Sequence, residues 1–247
     1  LNTTYAAMAA NLNLCDIYKM SEKMGAVNGD PDVKENLGPS FVIGASSVPP
    51  LNMANAFATI ASGGNRCTPI ALEKVVDSEG KKFRVPSANC KRTIDEKVAN
   101  KTAQVLVSTA RTYGGSVNIG RQVLAKTGTT DRPDAAWTAG ATPNLATAVW
   151  VGYSQGNIRP LLGMTVNGRY WGTIYGQTIP AEGFREYMAK AVQGLPAATF
   201  PTANIGEGKV INQGPRRPAK KKDSHGEDRS PRPTPSEVTE TVIYEEN

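Results

Sequence analysis

The chain has 247 residues, of which 39% are apolar and 20% charged, and a formal net charge of +6. This composition is that of a globular protein with one sizeable domain and a tail. No run of 18 apolar residues occurs, which excludes a bilayer-spanning helix within the stretch. Leu1-Asn2-Thr3-Thr4 carries neither an initiator Met nor a basic-then-apolar signal. The chain is expected to begin at a cut, with any export signal or membrane anchor upstream. Residues 206–247 hold eight Lys/Arg and eight Asp/Glu, so the positive excess lies in the body. Its basic residues are scattered and match no zinc-finger, helix-turn-helix or RNA-binding pattern, which argues against nucleic acid as a partner.

In chain order, residues 3–12 are Ala-rich and favour helix. Asp16 is placed as the cap of a second helix running to Met24 and ended by Gly25. Residues 26–50 carry Gly, Pro, Asn and Ser and read as a long loop. Pro50 opens a third helix, with Leu51, Ala54, Phe57, Ala58 and Ala61 at helical spacing and Gly63-Gly64 as its stop. Ala71–Val76 and Lys82–Val85, joined by Asp77-Ser78-Glu79-Gly80, give a hairpin signal. Cys67 and Cys90 flank its open ends, where antiparallel pairing permits a disulfide; two unpaired thiols are the other reading. A bridge there would imply an oxidising, extracytoplasmic compartment. Residues 94–112 predict an amphipathic helix with Val98, Ala99, Thr102, Val105, Leu106 and Thr109 on its packed side. Gln122–Thr129, Ala136–Ala141 and Ala146–Tyr153 follow as a closely connected antiparallel meander. A closing helix is expected over 182–193, with Phe184, Tyr187, Met188 and Ala191 on one face. Helices followed by strands predict an α+β class. From about 205, Pro, Lys, Ser and Glu dominate, and 206–247 is read as disordered, with the domain boundary at residue 200.

The sharpest chemical feature is the strand Gln122-Val123-Leu124-Ala125-Lys126-Thr127-Gly128-Thr129-Thr130. Lys-Thr-Gly alone is a weak motif. Its context is specific: Asp134-Ala135-Ala136-Trp137, Gly140-Ala141-Thr142-Pro143 and Ala146-Thr147-Ala148-Val149-Trp150-Val151-Gly152 follow in order. Over about residues 1–200 this series closely resembles the C-terminal part of the transpeptidase domain of class A (bifunctional) penicillin-binding proteins. The helix from Pro50 to Gly64 matches a recurrent segment of the same family. The paired cysteines and Pro-rich tail look like actinobacterial members. Thr138 and Ala141 depart from the family's usual aromatic residues.

The resemblance implies a penicillin-binding transpeptidase fold, serine β-lactamase-like and N-terminally incomplete. It implies three motifs: Ser-x-x-Lys, Ser-x-Asn and Lys-Thr-Gly. Asn2 matches the Asn of the second, with the cut falling just after its serine. Ser-x-x-Lys is expected upstream; Ser21-Glu22-Lys23-Met24 and Ser78-Glu79-Gly80-Lys81 are near misses, the latter with the right spacing but in a turn. Lys126, Thr127 and Thr129 are then expected to hold the carboxylate of a D-Ala-D-Ala stem peptide. Gly128 would let that peptide lie against the strand. Thr129 N–H is implied as one oxyanion donor, and Asn2 as a contact for the substrate amide. The implied partners are peptidoglycan stem peptides, β-lactams, and cell-division or elongation proteins, on the outer face of the membrane. No cofactor is implied. Without CxxC, and with His225 alone in the tail, zinc would lack ligands, so no metal is expected. Lacking its nucleophile, the chain alone is expected to be inactive. A β-lactamase-like hydrolase and a non-catalytic peptidoglycan-binding or partner-docking module are the rival readings; the first is disfavoured by the Asp-Ala-Trp context.

Overall fold

The computed structural model describes residues 2–28, 38–155, 158–206, 208–211 and 241–244. Two compact units are present. Among the described residues, the first takes in 2–17, 38–45, 205–206, 208–211 and 241–244; the second holds the remainder.

In the first unit, α1 (Asn2–Ala9) packs with a short 3-10 turn at Pro39–Ile43. Helix α2 (Leu14–Met24) leads into the second unit. Its cap lies three residues earlier than expected, because the side chain of Asn13, not Asp16, accepts the N–H of Cys15 (2.9 Å). Gly25 ends it at φ +89°, a left-handed position where a side chain is strained. The expected loop after it contains the 3-10 turn, and residues 29–37 lie outside the described residues.

The second unit is an α+β fold built on one sheet. Helix α3 (Pro50–Ala61) starts at Pro50 as the sequence indicates. β1 (Asn65–Arg66) pairs with β4 (Lys91–Arg92), and between them β2 (Val75–Val76) pairs with β3 (Lys82–Phe83). This hairpin is shorter than the sequence suggests. Its apolar residues Val75, Val76 and Phe83 are exposed, so burial gives the strands nothing to extend on. The Cys67–Cys90 disulfide is formed and closes the lobe.

Helix α4 (Glu96–Thr112) is capped by Asp95, whose carboxylate accepts Lys97 N–H at 2.9 Å. Its packed side differs from the expected one. Ala99, Ala103, Val107 and Ala110 are buried, whereas Val98 and Val105 are exposed. Small alanines let the helix backbone come close to α3 and the sheet, and that proximity outweighs the larger apolar residues one position away.

β5 (Leu124–Thr129), β6 (Ala135–Ala141) and β7 (Ala146–Gly152) form the antiparallel meander, in the order β5-β6-β7. Alternation gives each face its own core. Leu124 and Ala139 join Phe57, Ile60 and Val107 from α3 and α4. Ala125 and Val149 join Phe184 and Met188 of α5 (Ile179–Ala191) on the opposite face. Of the face proposed for this helix, Phe184 and Met188 are fully buried and Tyr187 is exposed. Gly140 sits where a Cβ would come within 2.5 Å of the Leu124 carbonyl and 3.0 Å of Phe184, so only glycine fits between the strand and α5.

One hairpin was not anticipated. β8 (Leu162–Val166) pairs with β9 (Arg169–Thr173) through Asn167-Gly168, both at positive φ. Asn-Gly is the strongest short-range hairpin signal in a sequence. Its base, Leu161, Trp171 and Ile174, packs on Ala136 of β6. In the tail, β10 (Gly208–Ile211) pairs with β11 (Thr241–Tyr244). The rest of the stretch read as disordered, residues 207, 212–240 and 245–247, lies outside the described residues.

Candidate active site

β5 is an edge strand, and its pairing parity decides what it offers. Thr130 N–H donates to the Ala135 carbonyl (3.2 Å), so even-numbered residues of β5 bond to β6. The N–H and C=O groups of residues 125, 127 and 129 therefore turn away from β6, along the open edge. Thr127 uses both of its outward groups within the chain. Its N–H donates to the Tyr113 hydroxyl at 3.2 Å, and its carbonyl accepts from Lys126 Nζ at 2.6 Å. Lys126 is exposed, and this bond brings its ammonium to the edge rather than across the sheet face. Thr129 N–H is the next outward donor along the strand.

The side chains of Thr127 and Thr129 share the face of Ala125, which looks toward α5. There the segment linking β9 to α5 crosses the strand. Gly176 N–H donates to Thr129 Oγ1 (3.0 Å), and fully buried Thr138 donates its hydroxyl to the Gly176 carbonyl (2.7 Å). A Cβ at Gly176 would lie 2.6 Å from the Trp137 carbonyl and 2.7 Å from Thr127 Cβ. The segment thus rests directly on Lys126-Thr127-Gly128. At Gly128 itself a Cβ would meet Trp137 Cβ at 3.4 Å, an ordinary contact, so packing within the chain does not require glycine there. Trp137 and Trp150 stand opposite each other on β6 and β7, ring centroids 6.4 Å apart.

The turn after the motif is tightly bonded. Thr130 Oγ1 donates to Asp134 Oδ1 (2.6 Å) and accepts the N–H groups of Asp134 and Ala135. Arg132 pairs with the other carboxylate oxygen at 3.3 Å. The Thr130 hydrogen bond, with Arg132 beside it, holds the Asp134 carboxyl below the usual aspartate range. Asp131 is exposed, and the pair serves the turn.

The two near-miss serines are both structural. Ser21 is buried in α2 and donates its hydroxyl to the Tyr18 carbonyl (2.7 Å). Ser78 sits in the β2–β3 turn, which Asp77 organises by accepting the N–H groups of Glu79 and Lys81. Asn2 is exposed at the first position of α1, in the first unit, whereas the Lys126 strand belongs to the second. Among the described residues, no group of three His, Cys, Asp or Glu side chains could hold a metal ion. Tyr113 and Gly176 carried no recognisable signal in the sequence, and nothing local showed what the Thr138 hydroxyl meets, because each acts through a partner 14 to 47 residues away.

The family model for the penicillin binding protein transpeptidase domain matches residues 2–189. The chain belongs to this transpeptidase family. It is 32% identical over 239 residues to penicillin-binding protein 1A of Mycolicibacterium smegmatis, covering 88% of this chain and 30% of that protein. To its namesake from Mycobacterium tuberculosis it is 31% identical over 222 residues, covering 81% and 26%. The structure of PonA1 from Mycobacterium tuberculosis in complex with penicillin V superposes with a TM-score of 0.69 at 28% identity, covering 81% of this chain and 56% of that one. The chain thus spans under a third of the length of these two curated relatives.

Proposed function

We propose that this chain supplies the substrate-holding part of a peptidoglycan D,D-transpeptidase, with the Ser-x-x-Lys nucleophile on a segment upstream of Leu1. The observation that carries the reading is the Lys126 ammonium at the open edge of β5, beside a glycine that the fold itself does not need. A stem peptide ending in D-Ala-D-Ala lies along that edge, its terminal carboxylate against Lys126 and the hydroxyls of Thr127 and Thr129. Gly128 leaves the strand flat beneath it. The upstream serine Oγ attacks the penultimate D-Ala carbonyl, and Thr129 N–H and the serine's own N–H stabilise the oxyanion. Each such donor lowers the barrier by about 3–4 kcal/mol. The C–N bond breaks, the terminal D-Ala leaves with the transferred proton, and an acyl-serine remains. An acceptor amine then attacks the ester, forming the cross-link and freeing the serine. β-Lactams enter as acylating mimics whose leaving nitrogen stays tethered. The enzyme works on the extracytoplasmic side of the membrane, held by an upstream anchor; the Cys67–Cys90 bridge supports that location.

Labelled penicillin tests this. The 247-residue chain alone is expected to gain no covalent label, and the full-length protein to be labelled on the upstream serine. Lys126→Ala in the full-length protein is expected to slow labelling at least about thirtyfold. An adduct on Ser21 or Ser78 would overturn the nucleophile assignment, and an unimpaired Lys126→Ala protein would overturn the carboxylate site. A full-length protein that binds stem peptide but never labels would identify a non-catalytic module instead.

A further inference from the structure

We propose that Thr138 and Gly176 form a clamp that sets Thr129 for catalysis, so that Thr138 is a positioning residue of the reaction. The inference rests on the transpeptidase reading of the Lys126 strand. Two hydrogen bonds carry it. Thr138 is fully buried, and its Oγ1 donates to Gly176 O at 2.7 Å. From the same residue, Gly176 N–H donates to Thr129 Oγ1 at 3.0 Å. Through its own N–H and C=O, Gly176 therefore bridges the middle strand to the edge strand, from underneath the residues proposed to hold substrate.

The bridge is stiff at both ends. Ile174 N–H donates to Leu161 O (2.9 Å), and Ile174 itself is buried with Trp171 and Ala136. Thr178 donates its hydroxyl to Tyr175 O (2.7 Å) and accepts Tyr175 N–H (3.0 Å). Gly176 has no slack, since any Cβ would strike the Trp137 carbonyl and Thr127. With its lone pair engaged by Gly176, Thr129 Oγ1 is held in one rotamer, and its remaining proton is directed away from the loop. The Thr129 peptide, whose N–H points out along the edge, is fixed with it. Without the Thr138 bond, the Gly176 carbonyl is buried and unpaired, the loop lifts, and the Thr129 donor drifts from the developing oxyanion. Such drift affects the transition state more than the bound peptide.

The experiment measures labelled-penicillin acylation of the full-length protein across concentrations, separating the limiting rate from the half-saturating concentration. Thr138→Val, which keeps the shape and deletes the hydroxyl, is expected to lower the limiting rate between about tenfold and a hundredfold. Its half-saturating concentration should stay within about twofold of wild type. Thr138→Ser, which restores the donor, is expected to recover most of the rate. A Thr138→Val protein acylating at the wild-type rate would overturn the clamp, as would a Ser variant as slow as the Val variant. Lys126→Ala is run alongside. If it is impaired while Thr138→Val is not, the clamp alone fails; if Lys126→Ala is also unimpaired, the underlying reading fails.

Discussion

The β5–β7 sheet and the Cys67–Cys90 lobe are neighbours in sequence, held together by different physics. The sheet is apolar on both faces, with Leu124, Ala125, Phe184 and Met188 fully buried between helices. The lobe has two-residue strands, exposes Val75, Val76 and Phe83, and is closed by a covalent bond. The rigid element is the one that carries Lys126. On the function proposed above, that edge holds a peptide in register, and packing fixes it better than a lone cross-link, because packing constrains every residue of the strand.

Breaking the packed side should have the largest effect. Phe184→Ala empties the α5 face of the sheet and is expected to cost about 3–5 kcal/mol in chemical denaturation. It should also raise amide exchange throughout β5–β7. Cys67→Ser with Cys90→Ser is expected to cost roughly 3 kcal/mol by the chain-entropy estimate. There the exchange increase should be confined to residues 65–92, and spread of that increase into β5 would show that the two regions are one cooperative unit. Tyr113→Phe sharpens the comparison within the sheet. It leaves Thr127 N–H without its acceptor while keeping the ring that packs beside Val117 and Val123, and about 1 kcal/mol should be lost. Faster exchange of the Thr127 amide alone is the accompanying sign.

The smallest effect belongs to Asp134. Its carboxyl titrates below the ordinary aspartate range because Thr130 and Arg132 favour the charged form. A depressed folded value means the contribution is complete above the unfolded-state value near 3.8 and is lost as pH falls through the lower folded one. Wild type should therefore be slightly more stable than Asp134→Asn at neutral pH. The gap should close in acid below the usual carboxylate range, and a gap that stays constant with pH would exclude the charged form as its source.

Much of this was legible in residue order. Pro50 at a helix start, Gly25 and Gly63-Gly64 at helix ends, and the three-strand meander are local signals with local causes. Cys67 and Cys90 could be paired because a hairpin brings its own ends together. Lys126-Thr127-Gly128 stood out through the ordered motifs after it, and the family match bears out that resemblance. The buried side of α4 was misread, since the sequence shows which residues are apolar and not which neighbour comes close enough to prefer alanine. The β8–β9 hairpin did have a signal, Asn167-Gly168, that went unused.

The sequence by itself determined the strand, its motif and the family, because these depend on residue identity over short spans. Only the tertiary structure decided that Thr127 spends both edge groups within the chain and that Lys126 turns its ammonium to the edge. It alone placed Gly176 between Thr138 and Thr129. Those contacts join residues far apart in the chain, and their existence depends on distances that packing sets after every local preference has been met.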